Sequence, residues 1–72
     1  MKKRTFDRKT AAIILVLYRI EVRENLENPT LENWEQVCGF YHKVSTLAAL
    51  GIISEKAQKR ASEMFDECTA VL

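Results

Sequence analysis

Residues 11–26, AAIILVLYRIEVRENL, decide the fold, because they can be read either as a strand or as a helix. Ile13 to Leu17 is a run of β-prone residues, and Tyr18 to Arg23 alternates apolar with polar. Against this, Ala11, Ile14, Leu15, Tyr18, Val22 and Leu26 recur at three- and four-residue steps, the spacing that lines one side of an α-helix. No turn signal interrupts the pattern, whereas a strand averages about six residues. The spacing predicts a helix over about 7–27, with Thr5 or Asp7 capping its start through a short side-chain oxygen.

The same stretch carries a second apolar stripe, Ile13, Val16, Leu17 and Ile20, on the opposite side. A helix in a three-helix monomer needs one apolar face. Either this helix is central and covered on both sides, or the second stripe is an exposed apolar patch, and such patches mark interaction surfaces. We favour the patch. A two-fold dimer pairing this helix with its copy would cover the stripe without any further sequence.

Outward from this segment, Asn28-Pro29-Thr30 ends the first helix, since a residue before proline is pushed out of the helical region. Thr30 caps a second helix, about 31–50. Its inner face is read as Leu31, Trp34, Val37, Cys38, Tyr41, Val44, Ser45 and Ala48, with Phe40 and Leu47 flanking it. Gly39 lies mid-helix, where it costs about 1 kcal/mol against Ala, and is read as a kink or a close helix crossing. Leu50-Gly51-Ile52-Ile53-Ser54 is the most specific local signal. Gly51 suits the left-handed position just past a helix end, Ile52 can pack back on that helix, and Ser54 caps the next one. A third helix follows over about 55–71, with Ala57, Ala61, Met64, Phe65, Cys68, Val71 and Leu72 on one face. Three amphipathic helices with short joints predict an all-α, small three-helix bundle, the second and third helices forming an antiparallel hairpin.

At 72 residues and 47% hydrophobic, residues 1–72 make one helical domain rather than a disordered chain. The net charge of +1 hides an asymmetry. Lys2, Lys3, Arg4, Arg8 and Lys9 against Asp7 leave +4 on residues 1–9 and −3 on the rest. Residues 1–6 are read as a basic arm, either a disordered, solubilising terminus or a phosphate-tracking one. The charged start followed by Ala11 to Tyr18 mimics a signal peptide. But Asp7, Arg8 and Lys9 intervene, and no small-residue cleavage site follows. Eight apolar residues are far short of the roughly 20 needed to span a bilayer, so no membrane partner is expected. Cys38 and Cys68 are read as reduced core thiols of a cytoplasmic protein.

Catalysis is not expected, nor is any cofactor. Cys38, His42 and Cys68 are the only good soft ligands in the chain, one short of a structural zinc site. A nucleophilic cysteine beside His42 would need a pocket that three small helices do not supply. Glu32 with Glu35, and Glu63 with Asp66 and Glu67, read as solvated faces. The expected function is that of a non-catalytic protein-interaction module, a homodimeric adaptor or a stoichiometric inhibitor of a larger protein. Its size resembles that of phage and mobile-element effectors. The expected interface is Ile13, Val16, Leu17 and Ile20, with Phe40 and Leu47 at its rim. The alternative is a DNA- or RNA-binding accessory protein. Lys2, Lys3, Arg4, Arg8 and Lys9 would contact phosphates, and Lys56, Lys59 and Arg60 would approach a groove from a helix-turn-helix-like hairpin. The acidic body, with Glu21, Glu24, Glu27, Glu32 and Glu35, weighs against a duplex partner.

Overall fold

The computed structural model describes residues 8–71, and these form three α-helices: α1 (Arg8–Glu27), α2 (Leu31–Ala49) and α3 (Glu55–Ala70). The helix reading of residues 11–26 holds, and the expected boundaries are met to within a residue. The expected caps Thr5 and Asp7, the arm residues Lys2, Lys3 and Arg4, and Leu72 lie outside the described residues.

Local chemistry sets the joints. Thr30 Oγ1 accepts from the Asn33 amide at 3.0 Å, which satisfies one of the unpaired N–H groups at the start of α2. The Asn33 side chain in turn donates to the Asn28 carbonyl at 2.9 Å, tying the end of α1 to the first turn of α2. At the other end of α2, the Gly51 amide donates to Ala48 O at 3.0 Å and the Ile52 amide to Leu47 O at 2.9 Å. This pair of bonds is the Schellman motif, and it needs a left-handed residue, which Gly51 supplies at φ +75°. Ser54 then caps α3, its Oγ accepting from the Ala57 amide at 3.1 Å.

Each helix touches the other two. Phe65 of α3 lies against both Tyr41 and Trp34 of α2, so the two helices stay side by side well past their turn, as an antiparallel hairpin. Tyr18 Oη donates to Ala61 O at 2.7 Å, and four residues on Val22 O accepts from Cys68 Sγ at 3.8 Å. Both partners advance together, so α1 and α3 run parallel, and α2 runs against both.

The core is Ala11, Ile14, Tyr18 and Val22 of α1, Val37, Val44 and Leu47 of α2, and Ala61 and Cys68 of α3. Leu15, Trp34, Phe40, Tyr41, Ile52, Ile53, Met64 and Phe65 pack around it. Tyr41 and Phe65 stack with centroids 4.5 Å apart, and Tyr18 and Trp34 flank the pair. Five expectations are corrected. Val71, expected on the apolar face of the third helix, is its C-cap and is 42% exposed. Leu47, expected at the rim, is fully buried, because α2 lies against two neighbours and its covered arc widens toward Leu47. Leu26 gives its inner position to Asn25, one residue earlier, which is fully buried. Leu31, at the exposed first position of α2, is 66% exposed. Gly39 neither kinks nor crosses: α2 is continuous through it, and a Cβ there would meet nothing within 4 Å.

Candidate functional site

The outer face of α1 is the surface that calls for explanation. Ile13, Val16, Leu17 and Ile20 are 55%, 52%, 41% and 51% exposed. They stand at i, i+3, i+4 and i+7, so each touches the next along the helix surface and together they form one continuous apolar strip. The alternative in which α1 is covered on both sides is excluded, since α2 and α3 pack only on its inner face. Lys9 adjoins the strip at its N-terminal end, and Glu24 and Glu27 adjoin it at its C-terminal end; all three are exposed. Val16, Arg19, Ile20, Arg23 and Glu24 line a shallow hollow of about 350 Å³ on this face.

Of the two expected rim residues, Leu47 does not reach the surface. Phe40 is half-buried on α2, packed against the core, with Lys43 Nζ 5.0 Å from its ring centroid.

The basic residues divide differently from the expectation. Arg8, Lys9, Lys56, Lys59 and Arg60 are all exposed. Because α1 and α3 are parallel, Arg8 lies near the start of α3, lining an open cleft of about 310 Å³ with Leu15, Ile52 and Ser54 among others. Leu15 also floors the neighbouring cleft of about 260 Å³, where Arg19 and Arg60 face each other over Ala57, Ala61 and Met64. Arg19 was not singled out by the sequence, since only the parallel packing of α1 and α3 brings it to Arg60. The hairpin itself departs from a helix-turn-helix: its helices lie side by side, whereas that motif splays them at roughly 90–120°.

The cysteines and the histidine do not converge. Cys38 is a half-buried free thiol, Cys68 a buried one, and His42 is exposed. Among the described residues, no group of three or more His, Cys, Asp or Glu side chains is placed to hold a metal ion. Burial pushes both thiols above their usual pKa, helped by the carboxylate of Glu35 at Cys38 and of Glu67 at Cys68; Asn25 opposes the shift at Cys68. Raised values favour the thiol over the nucleophilic thiolate. Burial likewise raises the Tyr18 phenol, with Cys68 and Tyr41 next in effect. Its role is a hydrogen-bonded core tyrosine. No described helix is long and apolar enough to cross a membrane.

Compared with protein-family models, curated proteins and solved structures, the chain has no significant match in any of the three.

Proposed function

We propose that the protein is a non-catalytic interaction module that works through the outer face of α1, as a homodimeric adaptor or a stoichiometric inhibitor of a larger protein. One observation carries this reading: four large aliphatic side chains in a continuous strip stay about half exposed after the three helices have packed. Leaving apolar area in water forgoes roughly 25 cal/mol per Å², and contiguous patches of this kind are typical of binding surfaces. The test is Leu17→Glu, assayed by light scattering for mass and by affinity capture for partners. A charge buried against an apolar contact without a partner is strongly unfavourable, so the variant is expected to lose association while keeping its helix content. Unchanged mass and unchanged partner binding in the variant would sink the reading.

A second reading, a nucleic-acid accessory protein, gains support from the groove between α1 and α3. Arg8, Arg19 and Arg60 line its two neighbouring clefts, and a phosphate chain could track them. Arg19→Glu with Arg60→Glu tests it. Binding to nucleic acid that survives this reversal with its salt dependence intact would remove the groove as the contact.

A further inference from the structure

We propose that α1 pairs antiparallel with α1 of a second copy of this chain, about a two-fold axis passing between Val16 and Leu17, with Lys9 of each copy against Glu24 of the other. The inference rests on the reading that the strip is an interface, and it names the occupant and the direction.

The strip is self-complementary only one way round. Its centre falls between Val16 and Leu17. An axis there sets Val16 against Leu17 of the copy and Ile13 against Ile20 of the copy, so aliphatic meets aliphatic at every step. Ile13 of the copy then faces the hollow beside Val16 and Ile20. The same register sets Lys9 opposite Glu24, with Glu27 one turn further on the same face. At the C-terminal end Arg23 stands beside Glu24 in the same hollow, so Arg23, Glu24 and Glu27 leave −1 there against +1 from Lys9 at the other end, and the antiparallel pair joins the two ends twice. A parallel pair would set Lys9 against Lys9 and Glu24 against Glu24, and like charges at an interface both weaken it and select against that arrangement. A partner with a uniformly charged rim would meet one end of the strip favourably and the other unfavourably. A second copy, reversed, meets both favourably, which is why the occupant is this chain.

Sedimentation velocity over a concentration series tests the proposal on the full chain. Lys9→Glu and Glu24→Lys each turn both cross-contacts repulsive, and each is expected to weaken the dimer about tenfold, on the scale of two exposed ion pairs reversed. The double variant Lys9→Glu with Glu24→Lys restores the pairing and is expected to regain wild-type affinity. Both positions are exposed, so helix content by circular dichroism should not move in any of the three. Raising the salt concentration should narrow the gap between the single variants and the wild type.

Three outcomes count against the proposal, and they separate its parts. If the wild-type chain stays monomeric at all concentrations, or Leu17→Glu leaves a dimer intact, the strip is not a self-interface and this proposal fails, whereas the reading of the strip as a binding surface falls only if Leu17→Glu also leaves partner capture unchanged. If Leu17→Glu abolishes the dimer but the single charge reversals leave it unchanged, Lys9 does not meet Glu24 across the interface and the pairing proposed here is wrong. If the singles weaken the dimer but the double variant does not recover, Lys9 and Glu24 are not partners and the register is wrong.

Discussion

The two faces of α1 are nearly matched in sequence and opposite in fate. The inner face offers Ala11, Ile14, Tyr18, Val22 and Asn25; the outer face offers Ile13, Val16, Leu17 and Ile20. The outer face is the more uniformly aliphatic of the two, yet α2 and α3 pack on the inner one. What separates them is fit rather than hydrophobicity. The inner face carries small Ala11, which permits close approach, and Tyr18, whose hydroxyl reaches Ala61 O across the interface. The outer face carries branched side chains of similar size with no polar handle, suited to a flat contact with something equally aliphatic. Hydrophobic area sets how much stabilisation is available, and shape and hydrogen bonding decide which partner collects it.

The contrast can be broken from its strong side first. Tyr18→Ala removes the largest fully buried side chain and leaves a cavity where three helices meet, for a cost of about 3–5 kcal/mol. Small domains have about 5–15 kcal/mol in all, so urea denaturation should show a large loss of stability or no folded baseline at all. Asn25→Leu probes a flaw on the same face. The buried amide of Asn25 meets no hydrogen-bond geometry with any neighbour, and its one polar influence is on the Cys68 thiol, whose pKa it lowers; a buried amide so poorly satisfied costs about 1–3 kcal/mol, which an apolar side chain of similar size avoids. The variant should raise the denaturation midpoint. Gly39→Ala on α2 probes an outer position where helix propensity acts alone. With nothing within 4 Å of the added methyl, it should stabilise by about 1 kcal/mol, read as a higher melting temperature.

The weakest effect is in pH. Burial raises the Tyr18 phenol and the Cys68 thiol in the folded state. The unfolded chain therefore releases these protons at lower pH than the folded one. Stability from this source is complete below the unfolded values and falls as pH rises through and beyond them, about 8.5 for a thiol and 10 for a phenol. Melting temperature should stay level through neutrality and decline above about pH 9. Tyr18→Phe should flatten the upper part of that decline.

Much of this was legible before any coordinates. Thr30, Gly51 and Ser54 act on backbone groups one to four residues away, so local sequence is enough to place the joints. The exposed strip was legible as an excess of apolar positions over what one helix needs. Other features depend on tertiary arrangement. Steps of three and four are both helical, so nothing in the sequence decides between Asn25 and Leu26 for the inner position. Leu47 is buried because α2 faces two neighbours, which widens its covered arc beyond a single stripe. Arg19 lines the same cleft as Arg60 only because α1 and α3 are parallel.

That parallel arrangement has a consequence for engineering. An odd number of alternating helices leaves residues 8 and 71 at opposite poles of the bundle. In a circular permutant the chain between residue 71 and residue 8, which includes residues 72 and 1–7, must run the length of α1, 20 residues or about 30 Å, which takes about nine extended residues. In the reversed pair, the pole where one copy's α3 ends is the pole where the other's α1 begins. A tandem fusion of two copies would then need to cross only about two helix spacings of 8–10 Å, less than the permutant's span, and the shortest join that still yields a folded, dimer-sized single chain becomes a ruler for the pairing.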